Sequence, residues 1–337
     1  MSKIKFVFSI LFFNFFTSCI DSEVKKIDFF EIDRGEYSNK LEGFWLGQSI
    51  ANWTGLITEM DKIGNIGEIK TGEFYTRNDW GGKDEPSIWS SETSNDEINF
   101  VFRENGEIWG SDDDTDIEYM YQELLYISRE IVLSPEKIRD AWIKHIKLEE
   151  ENFLWVSNQK AFDLMNDGVL PPETSDPTLN EHYDMIDAQL TTEIFGVLSP
   201  INYKNALKMS NLPIRTTARG DAALISEFYV IIHSLASTID LNEPLDEELI
   251  RISDFASSIL DENSYSFPMY EFVKSKFKSG ITWEQTRDSI YQRYQVDQKD
   301  GYDITSRNLY CNGCFASGIN FAASLVSYFY GKGDFKE

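Results

Sequence analysis

At 337 residues, 42% hydrophobic and 14% aromatic, the chain can bury a sizeable core as one large domain or two small ones, which excludes a disordered acidic tail. Its formal charge of −26 is spread along the whole length, and such a surface repels phosphate backbones, so bulk nucleic acid is excluded as a partner. An anionic small ligand needs a metal ion or a few placed arginines to bring it in.

The first nineteen residues, "MSKIKFVFSILFFNFFTSC", read as an export signal. Lys3 and Lys5 precede an apolar run from Phe6 to Phe16, too short to span a bilayer. Phe16, Thr17, Ser18 and Cys19 resemble a bacterial lipobox with Phe in place of the usual Leu. That likeness implies cleavage before Cys19, acylation of its thiol and a lipid anchor in the cell envelope. An ordinary secretory signal is the alternative. Loss of Lys3 and Lys5 would take the charge from −26 to −28. Residues 20–40 are polar and charged and read as a tether to a domain spanning 41–337.

Helical periods dominate from residue 41. In "GFWLGQSIANWTGLITE", Gly43, Gly47, Ala51 and Gly55 recur every four residues and Glu59 continues the series. Positions four apart share a ridge, and a ridge of small residues predicts close approach by another helix. Phe44, Trp45, Ile50, Trp53, Leu56 and Ile57 bracket it, so a core helix is expected. Glu59 then sits at the helix C-terminus, where the dipole disfavours a carboxylate unless a cation meets it. A solvent-exposed end beside Lys62 is the plainer reading. An irregular stretch follows over 61–97, with Gly64, Gly67, Gly72, Gly81 and Gly82, and "INFVFRENGEIWG" (98–110) reads as a lone β-hairpin turning at Asn105 and Gly106.

"GSDDDTDIE" (110–118) crowds acids at a helix start, ahead of the helically spaced Ile117, Met120, Tyr121, Leu124 and Leu125. One aspartate caps the helix, and each further acid raises a neighbour's pKa or calls for a cation. A solvated acidic cap and a divalent-cation site both answer to this pattern; Asp116 and Glu118 are expected to face solvent. Further helix starts are signalled by Ser134–Pro135, by Ser199–Pro200 and by Thr282 with Gln285. The segment 221–239, with Leu224, Ile225, Phe228, Ile231, Ile232, Leu235 and Ile239, predicts a central buried helix, on which His233 is a hydrogen-bonded core histidine. His145 and His182 show no ligand spacing. Cys311 and Cys314 in "YCNGC" have no second pair to close a zinc site, and packing beside a small-residue helix is expected of them rather than a disulfide. The reading is an all-α, multi-helix single domain, monomeric, with at most a small β-hairpin.

A small-residue helix closing in Glu, a long loop and an aspartate run at a helix start together resemble the ADP-ribosylglycohydrolase family. "GQSIANWTGLITE" stands for its first helix motif and "SDDDT" for its TDDT. "IFGVLSPINYKNALKMSNLP", "TTARGDAALISEFYVIIHSLA", "ITWEQTRDSIYQRY" and "NFAASLVSYFYGKGDF" resemble later segments in order. The resemblance implies a hydrolase that uses two Mg2+ ions to cleave ADP-ribose from a protein side chain, or a related N- or O-glycoside. It implies metal ligands Glu59, Asp112, Asp113 and Asp114, with Asp113 or Glu59 as acid or base. It also implies substrate contacts at Gly220, Asp221 and Asn320. Arg215 and Arg219 are weaker candidates for a diphosphate, their alternative being plain surface arginines. Two departures accompany it. Asp112 replaces the family's Thr, and a C-terminal GxDxD-like cluster expected after "YGKGDF" is absent, so the chain reads as either a C-terminally truncated fragment or a degenerate member, with one metal or none, weak binding and little or no turnover expected. The partners implied are an ADP-ribosylated protein or an ADP-ribose-like small molecule, and a membrane through the anchor. A non-catalytic envelope lipoprotein that binds a nucleotide-sugar or a protein through the same fold is the competing function.

Overall fold

The computed structural model describes residues 31–55, 65–66, 69–70, 76–79, 81–83, 98, 106, 112–147, 154–303 and 313–333. These are dominantly helical, as the periodicity predicts. The strands among them are a two-residue antiparallel pair, β1 (Asn65–Ile66) and β2 (Ile69–Lys70), in the glycine-rich stretch. The hairpin expected over 98–110 lies outside the described residues apart from Ile98 and Gly106, and Ile98 bonds through its backbone to Gly81 and Gly82 at 2.8 Å each.

Helix α1 (Arg34–Gly55) begins inside the stretch read as a tether. Asp33 supplies the reason, its carboxylate accepting the amides of Gly35 at 2.8 Å and Glu36 at 3.0 Å, which satisfies two of the orphan donors of a first turn. Two expectations for this helix are overturned. It is a peripheral helix rather than a core one: Phe44 and Trp45 pack on the core and Tyr37 donates to the Val197 carbonyl at 2.8 Å, while Leu46 is 61% exposed. Nor, among the described residues, does its small-residue ridge meet another helix. Gly43, Ala51 and Gly55 are exposed, and a Cβ added at Gly43, Gly47 or Gly55 would touch nothing within 4 Å.

Helix α2 (Asp113–Ser128) follows, then α3 (Pro135–His145), where Ser134 caps through the Lys137 amide at 3.3 Å and Pro135 opens the first turn as predicted. Next come α4 (Val156–Asn166) and two one-turn helices, α5 (Asp187–Leu190) and α6 (Ile194–Val197). Helix α7 (Tyr203–Thr217) starts later than Ser199–Pro200 suggests, because Ile201 turns into the left-handed region at φ 65° and Asn202 supplies the cap. Helix α8 (Gly220–Leu235) is the expected central helix. Its Ala222, Ala223 and Val230 join a first core cluster with α2 to α7, while Ile225, Phe228 and Ile232 join a second with α9 (Leu245–Ala256), α10 (Ser266–Lys278), α11 (Trp283–Ile290) and α12 (Ser317–Tyr330). Thr282 caps α11 through the Gln285 amide at 3.3 Å.

Candidate functional site

The aspartate run sits where several helix N-termini converge. Asp112 caps α2 by accepting the Thr115 amide at 2.8 Å, and its other oxygen accepts from the Asn52 side chain of α1. Asp113 accepts a hydrogen bond from the Trp155 backbone at the start of α4. Three residues further along the same turn, the Asn158 amide donates to Asp187 at 3.1 Å and the Ser157 side chain bonds that carboxylate too. Glu118, one turn into α2, accepts the Ile194 amide at the start of α6 at 2.8 Å, accepts from Gln48 of α1, and hydrogen-bonds the Glu193 carboxyl. Helix N-termini present free amides and a positive dipole end, so they are the places where a fold can gather carboxylates.

Gathering does not neutralise them. No Lys, Arg or His among the described residues pairs with Asp112, Asp113, Asp114, Glu118, Asp187 or Glu193. Burial, then the charges of Asp187 and Asp112, pushes Asp113 up to about 7 against its backbone hydrogen bonds. Burial pushes Asp187 up to about 6 and Glu118 to about 7. Asp114 lies well above the usual carboxylate range, through burial and then Asp113, Asp187, Asp112 and Glu193; Glu193 does likewise through burial and Glu118. One Glu193 oxygen and both polar side-chain atoms of Asn158, a residue only 1% exposed, are buried with no hydrogen-bond partner.

Several expected positions move. Asp116 faces solvent as predicted, but Glu118 is fully buried, because it shares the inward arc of α2 with Asp114, Ile117 and Tyr121. Gly220 opens α8 at φ 57°, and Asp221 accepts from Ser264 and lies beside Tyr265, away from the run; its second oxygen is buried without a partner. Asn320 donates to the Cys314 and Ala316 carbonyls at 2.6 and 2.9 Å, ordering the turn into α12. Arg215 pairs with Glu227 at 2.7 Å and Arg219 donates to the Pro172 carbonyl at 2.6 Å, so both have structural duties. His233 is held by the Tyr229 carbonyl at 2.9 Å and lies edge-on to Phe44, a satisfied core histidine. Cys314 is disulfide-bonded rather than simply packed. Glu59, Cys19 and Cys311 lie outside the described residues.

Asp187, Glu193 and Asn158 were not foreseen. Their segments are one-turn helices and loops too short to carry a period, and only tertiary packing brings them to the α2 run.

A groove of about 220 Å³ opens beside the cluster. Asp113, Asp116, Ile117, Tyr119, Met120 and Glu123 of α2 line one side, with His145 and Ile146 at the end of α3 and Leu154 ahead of α4 on the other. Asp113 therefore belongs both to the buried cluster and to an open surface.

An oxygen-only donor set in excess of its neutralising charge suits a hard divalent cation in chemical kind. Among the described residues, however, no three Asp, Glu, His or Cys side chains converge as a metal centre. No family model, curated protein or solved structure matches the chain.

Proposed function

We propose that the protein is a Mg2+-dependent glycohydrolase of the ADP-ribosylglycohydrolase type, exported and held in the bacterial cell envelope by acylated Cys19. The observation that carries this reading is the position of Asp113, in a cluster of six carboxyl groups without a cationic partner among the described residues and on the wall of an open groove. The ion's ligands would be drawn from Asp112, Asp113 and Asp114, which do not converge as a three-ligand centre among the described residues, together with Glu59, which lies outside them. When bound, the ion supplies positive charge that polarises a sugar hydroxyl or a water. The chain's own part is to position and to move protons. Amides at the starts of α2, α4 and α6 orient the carboxylates, and Asp113 is placed to exchange a proton with a group bound in the groove as a glycosidic bond departs through an oxocarbenium-like state.

The lack of three convergent ligands among the described residues supports a second reading, a non-catalytic lipoprotein that binds a nucleotide-sugar or a protein. One experiment separates them. The full chain is incubated with Mg2+ and proteins carrying ADP-ribose on Arg, Ser or Glu, and released ADP-ribose is measured. Slow release that needs Mg2+ and is lost in Asp113→Ala is the expected outcome. ADP-ribose binding with no release from any linkage would favour the second reading.

A further inference from the structure

We propose that the groove between α2 and α3 is a binding site for an organic cation on an apolar stem, as a Lys or Arg side chain of another protein presents. Its size argues first. At about 220 Å³ it falls below the roughly 300 Å³ at which pockets for whole small molecules begin, so it suits one extended side chain and not a nucleotide.

Its chemistry argues second. Asp113, Asp116 and Glu123 stand on one wall at helical spacings of three and seven residues, with Met120 between, against one imidazole, His145, on the other. The floor is apolar, formed by Ile117, Met120, Ile146 and Leu154, each no more than 7% exposed. Carboxylates above a hydrocarbon floor complement a side chain whose stem is methylene and whose head is charged. Tyr119, 58% exposed and packed edge-to-face with Trp45 at 6.3 Å, adds to the lining an aromatic ring of the kind that attracts a guanidinium or ammonium. An anion would meet these carboxylates in a chain of charge −26, and a neutral apolar ligand would leave them unused.

Glu123 and Asp113, the latter a member of the carboxyl cluster, both line the groove. Identification of the cation as the side chain that carries ADP-ribose rests on the glycohydrolase reading; binding of the cation does not.

The test uses the full chain without divalent ions, so that failure of the metal reading leaves it intact. Butylguanidine, the neutral alkyl control pentanol and the peptide Gly-Arg-Gly amide are titrated and followed by calorimetry. Saturable binding of butylguanidine, weakened about two- to fivefold in Glu123→Gln and weakened also in Tyr119→Ala, is expected, with Tyr126→Ala outside the groove unchanged. Peptide binding with the same variant pattern assigns the cation to a protein side chain. Equal binding of pentanol, no saturable binding, or an unchanged affinity in Glu123→Gln would overturn the proposal.

Discussion

Glu118 shows how one buried acid ties stability to pH. Its carboxyl faces that of Glu193, its donors among the described residues are the neutral Gln48 side chain and Ile194 amide, and burial lifts it from 4.5 to about 7. The folded state therefore holds a proton that the unfolded chain has already released. A group raised in this way contributes stability that is complete below the unfolded pKa and is lost as pH rises through the folded one. Between about pH 4.5 and pH 7 the metal-free protein should lose melting temperature as pH increases, and Glu118→Gln should flatten that dependence, as thermal denaturation at stepped pH would show. A variant that keeps the full wild-type slope would remove Glu118 from the account. The burial of this residue was partly legible. Ile117 and Tyr121 mark the inward arc of α2, and residue 118 falls within it although its charge is typical of the surface. Glu193, its partner across the contact, carries no such mark, because α6 is a single turn.

Between elements, two sets of glycines behave oppositely. The ridge of α1 reads in sequence as a helix-packing surface, yet a Cβ at Gly43 or Gly47 meets open space. With no packing to lose, Gly43→Ala and Gly47→Ala should each stabilise by about 0.5–1 kcal/mol in chemical denaturation, through helix propensity alone. Destabilisation by either would place a partner on that face. Gly196 of α6 is the contrasting case. There a Cβ would collide with the Val230 carbonyl and lie 2.8 Å from the His233 Cβ and 3.0 Å from the Ser234 amide nitrogen, so α6 touches α8 at backbone contact. Gly196→Ala should cost about 1–3 kcal/mol in the same measurement by forcing the two helices apart. Four-residue spacing reports that a helix could be approached closely, and says nothing of whether a neighbour arrives. The caps of α3 and α11 were legible because a cap and its amide lie three residues apart in sequence. The start of α7 was not, since the left-handed turn at Ile201 is held by the distant Ser234 carbonyl at 2.7 Å.

Across the whole molecule, the site depends on segments far apart in sequence arriving at one place. Helix α1 brings Gln48 and Asn52 to the acids, α4 brings its first amides, and the loop carrying Asp187 is stitched to the α12 entrance by Ile186 to Phe315 and Ser317 to Asp184, both at 2.9 Å. The acidic run itself was legible from charge density. Its company was not, because carboxyls contributed by α5 and α6 come from segments without periodicity. Such a cluster, with no Lys or Arg partner among the described residues, gains most from a cation that binds the folded state alone, and at a hundredfold excess over its dissociation constant such a ligand adds about 2.7 kcal/mol. Thermal denaturation of the full chain at pH 7.5 across a Mg2+ series, on wild type and Asp113→Ala, tests this most directly. The account predicts a melting temperature that climbs saturably with Mg2+ in wild type and stays flat in Asp113→Ala. Parallel curves for the two proteins would mean that the aspartates only cap a helix, contradicting the cation site and the chemistry proposed from it.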